Sequence, residues 1–563
     1  MKEKIYIFLL AFLPWVTLCS TEAEMYNIYL LNILIVIFTL SATIISLQKR
    51  GMIISYIDVI LAIFVILSLL CAIKNDAPVH PYIYFNFCLT ILFVIVSRNI
   101  VQRHISLLWK ALYCSVIPLT VIVVVFYFTT NYDNFVITVN NKMGNIGICS
   151  VFLAISICMM LYARHYIKLQ WVNIVFLILA LLCIYIIHKS ECRTAYLVIV
   201  VYCISGLYCK NLSSIQKVFK SRLNLFRLVA ILFLLISCFF ITQTNQLKEN
   251  SLHGRYFILS NSVRMFCDSP LTGQGGIGSF SAKYPLCQAE WFSAHPTIDK
   301  TLYLADNVMY ASNEYVQILS EMGICGIIVI LLFLFYTLSS TKKNDILNRC
   351  LLLPTLIASL SYYILHVTLF CAISLIICIV ISCRCKKRIA INESTTKILL
   401  SIIIVFSIIL TSYNVRHYNE SIKIRGVMET GHITHKQALD VLDRYSENHY
   451  LMALLSSVYK DSTDKVYHCI ERNFLHSDIL FAEGENLILM GNDSLAEKKL
   501  LLASQIVPNR FRYPHRLMRL YHKQNDTLKC RNIAKKIQRM PIKIPSPIVT
   551  AIKKEAEKKL KDY

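Results

Sequence analysis

The sequence predicts an all-α, polytopic membrane protein, in which a helix bundle with about 12–13 transmembrane helices carries a long external loop and a helical C-terminal domain. Two observations predict this class. Hydrophobic residues make up 56% of the 563 residues and charged residues only 16%, whereas a soluble protein carries about 25% charged residues. Apolar runs long enough to cross a bilayer, which takes about 20 residues, recur along the chain. In water, such a chain would expose too much apolar surface.

The apolar runs give the order of the transmembrane segments. They lie at 4–20, 25–46, 52–73, 81–98, 105–129, 144–163, 171–188, 194–209, 225–242, 314–338, 350–366, 367–384 and 397–413. The first run follows Lys2 and Lys4 and is interpreted as an uncleaved helix, with a cleaved signal peptide as the alternative. The pair at 350–384 is also compatible with one bent re-entrant element.

Basic residues predict the orientation of these segments. They follow every second run, at Lys49 and Arg50, Arg98 and Arg103, Arg164 and Lys168, Lys210 to Arg222, Lys342 and Lys343, and Arg384 to Arg388. Because cytoplasmic loops are enriched in Lys and Arg, this side and the N-terminus are assigned to the cytoplasm. The predicted domains are an N-terminal transmembrane bundle (1–242), a periplasmic loop (243–313), C-terminal transmembrane helices (314–415) and a periplasmic helical domain (416–563).

The charge and the cysteines exclude some function classes. The net charge of +24 is spread between apolar runs, which indicates contact with membrane lipids and not with nucleic acid. Most of the 21 cysteines lie inside apolar runs, and none has zinc-site spacing, so neither a metal nor another cofactor is predicted. Cys267 and Cys287, the two cysteines of the loop, are candidates for a disulfide that closes the glycine-rich turn in an oxidising compartment, with free cysteines as the alternative.

The C-terminal domain shows three successive helical patterns, at 494–507, 510–524 and 527–540. Apolar residues recur in them at helical spacing, and Pro508 separates the first from the second. This tempo resembles tetratricopeptide repeats, whose period is about 34 residues. A plain helical bundle is the alternative.

The loop contains a glycine motif, formed by Gly273, Gly275 and Gly278 in GxGxxG spacing. A dinucleotide site would need a strand before the motif and a helix after it. Here a helical stretch and an Asp-Ser-Pro turn precede it. The motif therefore predicts a tight backbone turn near the membrane, whose N–H groups are also able to bind an anion.

A polar stripe enters the membrane after the loop. Asn313, Gln317 and Glu321 recur every four residues and share one helical face, with Glu314 close to it. Ser312 or Asn313 is the predicted N-cap. Ionisable groups in a spanning helix usually face a wet cavity or a partner. Glu321 is accordingly either a functional group or the partner of an interior Arg or Lys.

Three arginines interrupt the cytoplasmic bias, because Arg193, Arg255 and Arg264 fall on the predicted external side. One interpretation is that they reach lipid headgroups. The other is that their guanidinium groups bind a diphosphate with paired hydrogen bonds. The residues alone leave both open.

Together these features resemble the O-antigen ligase and polymerase superfamily of bacterial inner membranes, over roughly residues 140–385. The resemblance is carried by Ser190 and Arg193, Gly254-Arg255, the turn from Asp268 to Gly275, and Asn313-Glu314-Tyr315 followed by Gln317, Glu321 and Gly323. The helical C-terminal domain is similar to that of a Bacteroidetes-type branch.

The resemblance implies a GT-C-like fold and a metal-independent glycosyltransferase. The reaction would transfer a glycan from an undecaprenyl-diphosphate carrier, with Arg193 and Arg255 holding the diphosphate and Arg264 as a lesser candidate. Many family members carry a histidine directly before the Asn of the loop-helix motif, as acceptor base, where this chain has Ser312. Glu314, Glu321 or His295 would have to replace it, beside Asn313.

The acceptor stays open at this stage. A ligase would use lipid A-core, a polymerase another carrier-linked glycan, and an O-oligosaccharyltransferase a protein. A non-catalytic envelope scaffold or transporter is the alternative from another class.

We predict the topology from the one-sided placement of the basic clusters. Reporter fusions at Lys343 and Lys387 should report cytoplasm, and fusions at Tyr284 and Asp493 should report periplasm. A cytoplasmic signal at Asp493 would contradict the odd number of crossings and would place the C-terminal domain on the wrong side for the implied reaction.

Overall fold

The fold is described by a computed structural model, which covers residues 1–19, 24–47, 52–77, 81–164, 167, 169–208, 246–295, 300–340, 347–385, 388–430, a few positions between 434 and 455, and 475–562. Over these residues the chain is almost entirely helical, which confirms the all-α prediction. The predicted run 225–242 lies outside the described residues, as do most of the predicted cytoplasmic basic clusters.

The helices follow one another with short connections. In chain order they are α1 (Lys2–Leu10), α2 (Glu24–Leu47), α3 (Tyr56–Lys74), α4 (Pro81–Val101), α5 (Ile105–Thr129), α6 (Tyr132–Met143), α7 (Ile146–Ala163), α8 (Gln170–Ser190), α9 (Arg193–Tyr208), α10 (Gln246–Asp268), α11 (Phe280–Ala294), α12 (Glu314–Ser340), α13 (Leu353–Ala358), α14 (Thr368–Arg384), α15 (Glu393–Glu429), α16 (Ser477–Leu489), α17 (Asp493–Ile506), α18 (Arg512–Lys523), α19 (Thr527–Arg539) and α20 (Pro547–Asp562). The described elements also include two short strands, β1 (Met52–Ser55) and β2 (Arg388–Ile391), and a few short 3₁₀ and π-helical turns.

Within the described residues, eight helices are long and apolar enough to cross a membrane: α2, α3, α4, α5, α7, α8, α12 and α15. The helices α9 and α14 are apolar but shorter. Exposed apolar side chains follow the outer faces of these helices; on α8, for example, Ile174, Ile178 and Leu181 recur at helical spacing and are each more than half exposed. Such a stripe is stable against lipid and costly in water, so the chain is a multi-pass membrane protein.

The first apolar run crosses the bundle in two pieces and not as the single helix that the sequence predicts. Pro14 ends the α-helical path, and a 3₁₀ turn (Leu13–Leu18) continues it. At one end, His104 Nε2 lies 3.0 Å from Glu3 Oε2. At the other end, Thr17 Oγ1 donates to the carbonyl of Lys142, 2.9 Å away. His104 directly precedes α5, whereas Lys142 lies in α6, which follows α5, so the run passes from one side of the bundle to the other.

The two strands connect distant parts of the chain. β1 follows α2 and pairs in antiparallel register with β2, which follows α14, from Met52 opposite Ile391 to Ser55 opposite Arg388. The ends of α2 and α14 therefore lie on the same side of the bundle. This agrees with the placement of both flanking basic clusters on one side, while the assignment of that side to the cytoplasm remains a prediction.

One of the basic residues used for orientation is not a loop residue. Arg98 lies inside α4, is fully buried and forms an ion pair with Asp58 of α3. The Asp58 carboxylate also accepts from the Ser55 N–H, 2.8 Å away, in a capping box at the start of α3. A buried charge needs such a partner, so Arg98 joins two helices and does not contact lipid headgroups.

The C-terminal helices α16 to α20 pack directly on the loop that precedes α12. Phe257, Phe292 and Leu302 of the loop share one hydrophobic cluster with Leu480 and Ile506 of the domain. Hydrogen bonds support the contact, from Gln288 Nε2 to the Ile506 carbonyl (2.7 Å) and from Asn509 Nδ2 to the Leu302 carbonyl (2.8 Å). The loop and the C-terminal domain therefore lie on one side of the bundle, called the loop side below.

The helices of this domain come in pairs. α16 and α18 begin 35 residues apart (Ser477 and Arg512), and α17 and α19 begin 34 residues apart (Asp493 and Thr527). This spacing is the period on which the tetratricopeptide interpretation rests. The assignment to that repeat family remains a prediction.

Candidate functional site

The polar stripe of α12 contains a break in the helix. Gly323 has φ 62° and ψ −152°, which interrupts the helical hydrogen bonds on both sides of it. The glycine-rich stretch of the loop supplies the missing partners. The Ile324 N–H donates to the Pro270 carbonyl (2.9 Å), the Gln274 N–H to the Ser320 carbonyl (2.9 Å), and the Gly276 N–H to the Glu321 carbonyl (2.9 Å). Since backbone groups at membrane depth must be satisfied within the protein, loop and helix depend on each other.

The glycines of the motif allow this close approach. A Cβ on Gly273, whose φ is 62°, would lie 2.3 Å from the Glu321 carbonyl carbon. A Cβ on Gly275 would lie 2.3 Å from the Cβ of Ala77. A Cβ on Gly278 would have its nearest neighbour 3.8 Å away. Glycine is required at this position because of its φ of 90° and not because an added Cβ would overlap another atom.

The carboxylate of Glu321 is bound by the same loop. Its Oε1 accepts from the N–H groups of Gly278 (3.2 Å) and Phe280 (3.3 Å) and from Gln317 Nε2 (3.4 Å). The two backbone donors lie at the N-terminus of α11, where the helix dipole favours negative charge. Glu321 is therefore bound by N–H groups and not by an interior arginine or lysine. The N–H groups of the glycine-rich turn do bind an anion, as the sequence predicts, and this anion is the Glu321 carboxylate of the same chain.

A second irregular stretch, Ser359–His366, connects α13 to α14; we call it the connecting segment. It occupies the end of the predicted run 350–366. This run does not form one spanning helix. It consists of a π-helical turn (Leu347–Leu352), the short helix α13 and, after a break, a 3₁₀ turn (Ile364–His366). Three successive carbonyls of the segment accept hydrogen bonds from residues of the predicted site. The donors are the Glu314 N–H to Ser359 (2.9 Å), Asn313 Nδ2 to Leu360 (3.0 Å) and Arg255 Nη1 to Ser361 (3.1 Å).

The start of α12 is fixed by these contacts. Asn313 is the N-cap, since its Oδ1 accepts from the N–H groups of Tyr315 (2.9 Å) and Val316 (3.1 Å). The Oε1 of Glu314, which is buried, accepts from the Leu365 N–H at 2.6 Å. Asn313 and Glu314 thus bind the connecting segment from both its carbonyl and its N–H side.

One tyrosine of the connecting segment, Tyr362, contacts Arg255 and the residue before Arg193. The Arg255 guanidinium carbon lies 4.7 Å from the ring centre of Tyr362. The Tyr362 hydroxyl lies 3.4 Å from the sulfur of Cys192, the residue directly before Arg193. Arg193 is exposed and is the first residue of α9. Tyr362 therefore brings Arg255 close to the start of α9, where Arg193 lies, at the loop side.

The structure separates Arg264 and His295 from this group. Arg264 follows Arg255 by nine residues on α10, which at about 100° per residue places it on the opposite helical face. His295 caps the far end of α11, exposed, with its ring stacked on Trp291 at 4.6 Å. The length of α11, about 22 Å for its 15 residues, separates it from Glu321.

One residue of the site was missed by the sequence analysis. His366, at the end of the connecting segment, lies with Nε2 3.1 Å from Gln317 Nε2 and 3.6 Å from Glu314 Oε2. Its ring stacks on Tyr310 of the loop at 4.3 Å. The available signal was an ionisable residue between two apolar runs, which is itself a reason to suspect a functional site.

The predicted disulfide of the loop is wrong in this structure, because Cys267 and Cys287 are both free. The Cys287 sulfur donates to the carbonyl of Asn261, 3.5 Å away on α10. Cys267 lies six residues further along that helix and is exposed, whereas Cys287 is buried. Burial raises the pKa of the Cys287 thiol to about 11, against a smaller lowering by Arg264.

The fold and the loop-side site define a class, a multi-pass helical membrane protein with arginines and carboxylates around two helix breaks. Residues 134–331 of the chain match the family model described as O-Antigen ligase. The match confirms the resemblance to the O-antigen ligase superfamily and indicates glycan transfer of the polysaccharide ligase or polymerase type. It includes Arg193, Arg255 and Glu314 but ends before the connecting segment. No curated protein matches the chain significantly.

We expect Gly273→Ala to destabilise the protein by about 2–5 kcal/mol, from the left-handed conformation and the overlap with the Glu321 backbone. The matched control is Gly426→Ala on α15, where an added Cβ meets nothing within 4 Å. Thermal unfolding of both purified variants in detergent measures the effect. Equal stability of the two would contradict the close packing of the loop against α12.

Proposed function

We propose that the protein transfers a glycan from an undecaprenyl-diphosphate carrier to an acceptor hydroxyl at the periplasmic face of the bacterial inner membrane, as a ligase for O-antigen or another surface polysaccharide. The observation that carries the proposal is the contact of Tyr362 with Arg255 and with Cys192, directly before Arg193, since both arginines lie within the stretch that matches the O-antigen ligase family. The site lies on the loop side, which the topology prediction assigns to the periplasm.

In the proposed reaction the arginines bind the leaving group. Expelling a lipid diphosphate places negative charge on its oxygens as the glycosidic bond breaks. Arg255 uses one N–H for the Ser361 carbonyl, and Tyr362 holds its guanidinium plane. The guanidinium has five N–H donors in a planar fork, so several remain for phosphate oxygens. Arg193, exposed at the start of α9, provides the second cation.

The preorganised position of Arg255 matters for catalysis. A donor that is fixed before the reaction stabilises developing charge without reorganising during it. The ring of Tyr362 is itself held by Cys192, and a Cβ on Gly147 would lie 2.2 Å from its hydroxyl oxygen. The arginine is thus fixed through a closely packed contact between α7, α9 and the connecting segment.

The same chemistry serves the alternatives that differ in acceptor. Lipid A-core, another carrier-linked glycan and a protein hydroxyl all accept a glycan with loss of the diphosphate. A deletion strain separates the first two on a lipopolysaccharide gel. Loss of the whole capped ladder, with carrier-linked glycan accumulating, indicates a ligase, whereas a band with a single repeat indicates a polymerase.

We expect Arg255→Ala and Arg193→Ala each to reduce glycan transfer by about 10²- to 10³-fold, because each removes a fixed cation from the leaving group. Lysine at either position should restore little, since a point charge does not reproduce the planar fork. Transfer is measured in membranes with carrier-linked glycan, at matched protein levels.

The control is Arg103→Ala, which removes a half-exposed arginine near Glu3 at the opposite end of the bundle. Its activity should remain that of the wild type. Full activity in both the Arg255 and Arg193 variants would remove the diphosphate contact from the account and favour the scaffold or transporter alternative.

A further inference from the structure

The chain lacks a histidine at the position where many relatives carry an acceptor base, yet His366 reaches the same polar stripe from another element. Its ring lies against Gln317 and Glu314 of α12 and under Tyr310 of the loop. The side chain of His366 is 27% exposed, whereas that of Glu314 is 4% exposed. His366 is therefore the member of the group that a substrate is able to reach.

The neighbours of His366 determine what its ring is able to do. The Gln317 Oε1 accepts from the Ala311 N–H at 3.0 Å, which turns the amide nitrogen of Gln317 towards His366 and Glu321. Facing this donor, Nε2 of His366 acts as an acceptor, so the ring is neutral in this arrangement. Glu314 Oε2 lies 3.6 Å from the same nitrogen, where it would stabilise the ring after it gained a proton.

We propose that His366, paired with Glu314, is the base that takes the proton from the acceptor hydroxyl. The inference deepens the proposed function and rests on it. His366 would act on the acceptor, while Arg255 and Arg193 act on the leaving diphosphate. The connecting segment links the two halves of the site, because it contains His366 and also Ser361 and Tyr362, which hold Arg255.

The transfer step balances with these groups. The acceptor oxygen forms a bond to the anomeric carbon of the glycan as its O–H bond breaks. The acceptor hydroxyl displaces the Gln317 amide from Nε2 of His366, the proton passes to Nε2, and the ring becomes an imidazolium beside the Glu314 carboxylate. The bond between the anomeric carbon and the diphosphate oxygen breaks, and its electron pair leaves on the diphosphate, opposite Arg255 and Arg193.

The other candidates for the base fit less well. Glu321 is buried, and its Oε1 accepts from two backbone N–H groups and Gln317. Glu314 is buried too and binds the Leu365 N–H. His295 is exposed but lies at the far end of α11. Ser312 has no basic group.

The test uses the full-length protein in proteoliposomes with an undecaprenyl-diphosphate-linked glycan and its acceptor. His366→Gln keeps an acceptor atom for Gln317 but binds no proton near neutral pH. We expect kcat to fall by about 10²- to 10⁴-fold, the usual contribution of a general base, with KM for the carrier substrate within about twofold of the wild type. A loss confined to kcat indicates that the diphosphate contact is intact.

Two further variants distinguish a base from a structural residue. Added imidazole should restore part of the activity of His366→Ala, which a merely structural role would not show. Glu314→Gln keeps the oxygen that accepts from Leu365 and loses only the charge beside the ring. Because it acts through His366, it should lower kcat alone but add nothing in the His366→Gln background.

The matched control is His515→Gln, which changes another histidine paired with a glutamate, Glu555, at 2.9 Å in the C-terminal domain. It should transfer at the wild-type rate. Retained kcat in His366→Gln, or the absence of imidazole rescue in a folded His366→Ala, would overturn the role of His366 and leave the proposed function standing. A wild-type protein that releases no carrier diphosphate would overturn the proposed function, and the inference with it.

Discussion

The site depends on the need to satisfy three successive backbone carbonyls beyond the last turn of α13, those of Ser359, Leu360 and Ser361. Backbone groups at membrane depth are stable only when the protein itself satisfies them. Asn313, Glu314 and Arg255 each provide one donor, and the Glu314 carboxylate accepts from Leu365 on the far side of the break. The residues that resemble a glycosyltransferase site are thus the residues that hold this break together. The proposed chemistry and the satisfaction of the backbone would come from the same side chains, so a substitution at Glu314 or Arg255 must be judged with both measurements of activity and measurements of folding.

A second break lies further along α12, and its backbone groups are likewise satisfied by another segment of the chain. Gly323 interrupts the helix, and the glycine turn of the loop supplies the backbone partners. Two carboxylates, those of Glu314 and Glu321, lie two helical turns apart, and each accepts hydrogen bonds from the backbone near one break. Gln317 lies between them and contacts Glu321 and His366. The polar stripe therefore attaches a non-helical segment at each end. The C-terminal domain extends this connection, because it shares a hydrophobic cluster with α10 and α11.

The sequence was sufficient for the features that depend on composition and period. Apolar runs predicted most of the spanning helices, and helical spacing placed Gln317 and Glu321 on one face. It was insufficient where a feature depends on contacts between distant segments. The run 350–366 is apolar throughout, and hydropathy does not distinguish a spanning helix from a short helix followed by a break. Arg98 was placed among the loop cations because its burial and its ion pair with Asp58 depend on a contact between α3 and α4, which the sequence does not show. His366 became informative only beside Gln317 and Glu314, which lie about 50 residues earlier.

The most direct measurement of the central claim is amide hydrogen exchange at Leu365, in the purified protein in nanodiscs, for the wild type, Glu314→Gln and Glu314→Ala. If the Glu314 side chain satisfies the break, the Leu365 amide is protected in the wild type and remains so in Glu314→Gln, which keeps an acceptor oxygen. In Glu314→Ala its exchange should accelerate roughly ten- to hundred-fold, the equivalent of losing a hydrogen bond to a charged group. Unprotected exchange in the wild type, or equal exchange in all three proteins, would contradict the account.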